Sequence, residues 1–292
     1  MKLTPLGKAL FFLVGLGLVV GALYRFVPPE KQFWRAWFAG KKGAPASTST
    51  SQTKSGPGNV TSPPPATTAS VASSWMAIPA GSFGAGESGS TAETGAFRIQ
   101  RTEVTNREYQ AFLNACAMGS DCGPRDLPMY WDDTGYLDTH ADYPVVFVSW
   151  GDASAYCRFV GGRLPTSLEW EKAARGTDGR LFPWGETFDA QLTNILGSEH
   201  AKKNDAPKQI PTWAVSDARY ARDGSPFGVL GMGGNVSEWT SSSSPEEPNL
   251  MLVAGGSWDS WDGNDARVIH RVPKPPTDRS SSVGLRCAKD GA

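Results

Sequence analysis

The stretch that most constrains this chain is Pro144 to Gly176, PVVFVSWGDASAYCRFVGGRLPTSLEWEKAARG, where a β-like run, two capped helical patterns and a tight connection follow one another. Val145 to Val148 is a short run of β-formers and suits a buried strand. Ser149 then stands as an N-cap, and from Trp150 the apolar positions Ala153, Tyr156, Cys157 and Val160 recur at helical spacing until Gly161 and Gly162 end the pattern. That predicts one helix of about three turns. Pro165 forbids its continuation, and Thr166 with Glu169 three residues on forms a capping box. A second helix is therefore predicted from Ser167 to Arg175, with Gly176 as its stop.

The first 75 residues are a different material. Lys2 and Lys8 precede Ala9 to Tyr24, sixteen residues without a charge, which reach the length of a membrane span if Phe26 and Val27 join and Arg25 snorkels. No small-x-small cleavage site follows the apolar run, so an uncleaved signal anchor is expected rather than a removed signal peptide. Arg25, Lys31, Arg35, Lys41 and Lys42 lie just beyond it, and counting positives would put that side in the cytoplasm. Glu30 to Phe38, EKQFWRAWF, mixes charges with four aromatic rings and suits the membrane interface or a short buried helix. From Gly43 to Ser74, 27 of 32 residues are Gly, Ala, Pro, Ser or Thr, too few apolar side chains to offset the entropy of ordering. The expected organisation is an anchor and juxtamembrane segment over 1–42, a flexible linker over 43–74 and a globular domain over 75–292.

Charge divides the same way. Before Gly43 there are seven Lys and Arg against one acid, net +6, so a total of −1 leaves −7 for the rest. An acidic domain argues against a nucleic-acid partner, which would call for a basic face. Nine of the eleven Trp lie at or after Trp75, with many glycines and few long helical patterns, so an α+β domain with long, aromatic-packed loops is expected. Within it, Trp75 to Phe83 and Phe97 to Val104 read as strands. Thr105 with Glu108 caps a helix carrying Tyr109, Phe112 and Leu113 on its inner face. Cys116 to Tyr136 has no clear period and reads as a loop.

The four cysteines admit two readings. Cys116 and Cys122 could close a local bridge, with Cys157 on the central helix and Cys287 near the C-terminus, or all four could be buried thiols in a reducing compartment. No C-x-x-C pair or Cys and His cluster supports zinc. The three histidines, His140, His200 and His270, are scattered, and no G-x-S-x-G elbow is present.

Eight motifs occur in order after Trp75: IPAG at Ile78 to Gly81, TEVTNREYQAF at Thr102 to Phe112, PVVFVSWGDASAYC at Pro144 to Cys157, GRLPTSLEWEKAARG at Gly162 to Gly176, FPWGE at Phe182 to Glu186, GNVSEWT at Gly234 to Thr240, GGSW at Gly255 to Trp258 and GLRCA at Gly284 to Ala288. Through them the chain resembles the sulfatase-modifying-factor family, whose founding members are formylglycine-generating enzymes. The resemblance implies a loop-rich α+β fold related to C-type lectins, a bridge between Cys157 and Cys287, and export to the outer side of the cytoplasmic membrane, the periplasm in a Gram-negative bacterium.

The family's enzymes oxidise a cysteine in a Cys-x-Pro-x-Arg segment to formylglycine, using oxygen and copper held by two thiolates shortly after GGSW. Here that stretch is GGSWDSWDGNDARVIHR, without a cysteine. Ser260 and Asp265 stand where the two sulfurs would be, with Ser257, Trp258, Arg267 and His270 as neighbours. Copper(I) prefers soft sulfur, and a hydroxyl with a carboxylate is a poor substitute, so copper is not expected. Asp259, Asp262 and Asp265 recur every three residues beside Arg267, His270 and Arg271, a pattern open to a hard-metal or acid–base site, or to a solvated loop with ion pairs. The resemblance also implies structural calcium through Gly234, Val236 and Glu238, weakened by Gly231 where a side-chain ligand would be expected, and a second calcium through Asn194, Ile195 and Asp205. The plainer reading makes Glu238 a salt-bridged acid and Asn194 a turn residue.

Two functions follow as expectations. The first is a membrane-anchored, extracytoplasmic peptide- or protein-binding domain that has lost its redox centre, with a groove beside Trp258, Trp261 and Arg267 whose aspartates favour a basic ligand. The second is an oxidoreductase, either a formylglycine generator with displaced ligands or a relative carrying out another metal-dependent oxidation.

Overall fold

The computed structural model describes residues 74–119, 122, 127–132, 135–195 and 212–291. The expected anchor over 1–42, the linker up to residue 73, and the candidate residues Asp205 and His200 lie outside the described residues.

Three capped helices appear where the sequence puts them, and a fourth, short one is added. Helix α1 (Asn106–Ala117) starts at Thr105, whose hydroxyl accepts from the Glu108 N–H while the Glu108 carboxylate accepts from the Thr105 N–H. Helix α2 (Tyr136–His140) is one turn. Helix α3 (Trp150–Phe159) begins at Ser149 with Asp152 as its box partner, and α4 (Ser167–Arg175) begins at Thr166 with Glu169. A 3-10 turn (Met129–Asp132) also falls in the stretch read as a structureless loop.

The strands are shorter than expected. The run from Trp75 to Phe83 divides into β1 (Trp75–Ile78) and β2 (Gly81–Ala85). The break falls at Gly81, whose φ of +127° turns the chain out of the first sheet, as only glycine does freely. Strand β2 pairs with β3 (Ser90–Thr94) as a separate hairpin. Strand β4 (Phe97–Gln100) stops short of Val104: beyond it the Arg101 carbonyl accepts from the Leu230 N–H at 2.8 Å as well as from Arg286 Nη1 at 3.2 Å, and the Glu103 N–H goes to the Tyr220 hydroxyl at 3.3 Å, so the backbone bonds leave the ladder. Val145 to Val148 is not a strand. It keeps an isolated bridge, Thr105 opposite Pro144, and a Val145 N–H to Val104 carbonyl bond of 2.8 Å, and then Phe147 at φ 60° takes the backbone out of the extended region.

The remaining strands are β5 (Ser237–Ser243), β6 (Met251–Ala254), β7 (Arg271–Lys274), β8 (Val283–Gly284) and β9 (Ala288–Asp290). They complete two sheets, β1-β4-β9 and β7-β6-β5-β8, in which only the β5–β8 pair is parallel. The architecture is thus α+β. Helix α4 lies between the β2–β3 hairpin and the four-stranded sheet, touching β2, β3, β5 and β6.

Two apolar clusters fill the domain. One gathers Tyr109, Phe112, Tyr156, Leu164, Trp239 and Leu285, and the other Ile78, Phe97, Ile99, Trp170, Met232 and Val268. Each fully buried large side chain of this kind contributes about 1.5–3 kcal/mol. The Cys157–Cys287 disulfide crosses the first cluster and ties α3 to the start of β9 across 130 residues of sequence. A second disulfide joins Cys116 and Cys122, so the bridged reading of the cysteines holds for both pairs.

Candidate functional site

The 255–270 segment connects β6 to β7, and its backbone is folded by its own side chains. The Ser257 N–H donates to Ser260 Oγ at 3.0 Å, the Ser260 N–H returns to the Ser257 carbonyl at 3.0 Å, and Ser257 Oγ donates to Asp259. Trp258 is held at two points: its N–H donates to the Asn235 carbonyl at 2.9 Å and its Nε1–H to the Ser281 carbonyl at 3.0 Å. Asp262 caps a short 3-10 turn (Gly263–Ala266) by accepting from the Asn264 N–H at 2.6 Å.

Asp265 faces back into this segment. One oxygen accepts from the Trp261 N–H at 3.1 Å, and the other lies 3.7 Å from His270 Nδ1. Burial holds the His270 imidazole below its usual pKa, with the Asp265 charge opposing, so the ring is neutral at neutral pH. Arg267 Nη1 donates to Glu87 Oε1 at 3.0 Å. Arg271 points inward: it stacks over Trp170 at 4.8 Å and donates to Ser167 and to the Val268 and His270 carbonyls. Burial brings its pKa down to about 10. Trp261, at 81 % exposure, is the outward feature of the segment.

Of the predicted residues, the segment therefore brings Ser257, Asp259 and Ser260 into one turn and Asp265 to His270. His140 is not with them; it stacks on Tyr136 at 4.3 Å on α2. Ser260 and Asp265 present a hydroxyl and a carboxylate, each already in a hydrogen bond. The chain's four cysteines are all in disulfides, so no thiolate is available and the donor set does not fit copper(I).

Beneath this segment lies a buried polar layer that sequence reading largely missed. Glu238, on β5, receives Arg286 Nε and Nη2 at 2.7 Å each and Trp170 Nε1 at 2.6 Å. Glu103 accepts from the Tyr220 hydroxyl and from Asn235 Nδ2. Asn235, at φ 69°, accepts on Oδ1 from the Trp213 N–H and Asn194 Nδ2. Asp223 accepts from the Gly233 N–H at 2.7 Å, while its other oxygen is buried without a partner among the described residues. Tyr220 and Asp223 sit in none of the eight motifs; Glu103 lies in TEVTNREYQAF, Trp170 in GRLPTSLEWEKAARG, Asn235 and Glu238 in GNVSEWT and Arg286 in GLRCA, but no motif shows which of them pair.

This layer decides how calcium fits. Both Glu238 oxygens are spent on Arg286 and Trp170, and a side chain at position 231 would meet the Tyr220 ring, since a Cβ there would lie 2.4 Å from its hydroxyl oxygen. The set of Gly234, Val236 and Glu238 does not fit a cation. The salt-bridged reading of Glu238 describes it. Around Asn194 and Ile195 the fit is better: both are buried, and the neighbouring Thr193 Oγ1 is buried without a partner among the described residues.

The chain is similar to several known proteins. It is 38% identical over 153 residues to the inactive C-alpha-formylglycine-generating enzyme 2 of Bos taurus, covering 50% of each chain. It is 32% identical over 169 residues to the formylglycine-generating enzyme of Bos taurus, covering 51% of this chain and 44% of that one. The chain thus spans about half the length of these relatives. Among solved structures, CarF superposes with a TM-score of 0.58 at 19% identity, covering 75% of this chain and 98% of that one. A family model described as the sulfatase-modifying factor enzyme 1-like domain matches residues 61–291, and the chain belongs to that family.

Proposed function

We propose that this chain is a membrane-anchored, extracytoplasmic member of the family, with a C-type-lectin-like domain that binds a peptide or protein and performs no formylglycine chemistry. The observation that carries the reading is the state of the cysteines. All four are paired, so the loop after GGSW offers Ser260 and Asp265 with no free thiol within the chain to replace the family's two thiolates. Two disulfides also favour an oxidising compartment. The relative named as inactive agrees with the same reading.

The ligand surface runs along Trp258, the exposed Trp261 and Arg267, and Asp259 and Asp262 give it a preference for a basic segment. Structural calcium, where present, sits with Asn194 and Ile195, with Asp205 as the added carboxylate, and holds a loop rather than taking part in chemistry.

The test is the full chain, purified in mild detergent, mixed with a Cys-x-Pro-x-Arg peptide, copper and a reductant under air, and followed by mass spectrometry of the peptide beside an active relative. No formylglycine is expected. Its appearance would sink the non-catalytic reading and turn attention to Ser260, Asp265 and His270.

A further inference from the structure

Among the described residues, Arg267 is the one side chain of the 255–270 segment whose charge is answered from another part of the fold. Its partner, Glu87, sits at the tip of the β2–β3 hairpin, which forms a two-stranded sheet of its own. The tip turns through Gly86 and Gly89, both at positive φ. Its backbone is tied to α4 up to the tip: Glu171 accepts from the Gly86 N–H at 2.7 Å, and Arg175 donates to the Gly84 and Gly86 carbonyls at 2.7 and 3.3 Å. The backbone next to Glu87 is therefore held, while the Glu87 side chain is 68 % exposed and free to swing.

The guanidinium of Arg267 is only part used. Nη1 carries the single bond to Glu87, and Nε is buried with no acceptor among the described residues. A buried donor left unmade is costly, and guanidinium is suited to a carboxylate gripped on two nitrogens rather than one. The Arg267 side chain is 21 % exposed, so its far end meets solvent beside the segment that carries Trp261, Asp262 and Asp265.

We propose that Arg267 is a carboxylate-binding site of the ligand surface, and that Glu87 is a tethered stand-in which a ligand carboxylate displaces. The Glu87 side chain then acts as a latch. When it swings away, Nη1 is freed, and an incoming carboxylate can take it together with the adjoining Nη2 where Glu87 takes one nitrogen. The chemistry is already present in the fold, because the group resting on Arg267 is itself a carboxylate. The proposal rests on the ligand surface described above and adds to it: a basic segment drawn by Asp259 and Asp262 would be oriented by a carboxylate, from its C-terminus or an acidic side chain, at Arg267.

The test follows the Arg267 Nε–H resonance in full-length protein carrying ¹⁵N-labelled arginine, assigned by its loss in Arg267→Lys. N-acetylglycine is titrated as the carboxylate probe and N-acetylglycinamide as its neutral control, in the parent and in Glu87→Gln. A saturable shift with the acid and not the amide is expected. Its apparent Kd should be lower in Glu87→Gln by roughly two- to fivefold, the competition an exposed ion pair can offer. No carboxylate-specific shift in either protein, or equal affinity in both, overturns the proposal. Because neither probe carries a positive charge, the result does not depend on whether the aspartates attract a basic ligand, which a separate titration with an oligolysine peptide reads.

Discussion

Arg286 and Glu238 face each other with no exposure on either side chain, and the guanidinium grips the carboxylate through Nε and Nη2 at 2.7 Å each. Arg286 also donates to the carbonyls of Gln100, Arg101 and Leu230, so one side chain holds β4, β5 and the 228–231 turn together. Replacing Arg286 with Met leaves Glu238 buried with only Trp170 as donor. The expected loss is about 3–5 kcal/mol, read as a fall in the urea midpoint. A loss below about 1 kcal/mol would mean that the pair does not hold these elements together.

The acids outnumber this cation. Burial pushes Glu103 up to about 8 and Asp223 up to about 7, with Arg286 opposing and the Glu238 charge adding to both. The folded state therefore binds protons that the unfolded state has already released. For Glu103 the stabilisation is complete below its ordinary value of 4.5 and is lost as pH rises to about 8. Unfolding free energy should fall across that window and level off above it. In Glu103→Gln the slope should be shallower, because only the Asp223 share remains. Equal slopes in the two proteins would show that Glu103 is ionised in the fold.

These two clusters mark the limit of what could be read from sequence. The caps at Thr105, Ser149 and Thr166 were legible because each makes its bonds within three residues. The motifs also placed Ser257, Ser260, Asp265 and His270 in one segment. The partners of Glu103 and Glu238 lie 117 and 48 residues away, at Tyr220 and Arg286, and no local pattern announces such pairs. Val145 to Val148 misled for a related reason: its residues are apolar β-formers, yet Phe147 leaves the extended region to give its N–H to Ser280. Strand propensity was present there, but no continuous strand partner was.

The two disulfides should differ in weight. Cys157–Cys287 closes a sequence separation of 130, for which chain entropy gives about 5 kcal/mol; Cys116–Cys122 closes a separation of 6, for which it gives about 2–3 kcal/mol. Paired Cys→Ala variants should follow that order in urea denaturation. The reverse order would place the greater constraint in the short loop and contradict the entropic account.

Gly231 separates backbone strain from simple volume. It sits at φ +73°, and a Cβ there would stand 2.4 Å from the Tyr220 hydroxyl oxygen and 2.6 Å from its ring. Gly224, nearby in sequence, has no positive φ, and its nearest contact for a Cβ is Leu230 at 3.7 Å. Gly231→Ala should cost about 2–4 kcal/mol, from the left-handed conformation and the overpacked ring together, whereas Gly224→Ala should stay within about 1 kcal/mol. If Tyr220 moves to make room, it leaves Glu103, so the alanine at 231 should also alter the pH dependence of stability while the alanine at 224 does not. Equal costs and unchanged pH profiles would mean that the Tyr220 ring yields freely, and position 231 would then again be open to the side-chain ligand that a calcium site requires.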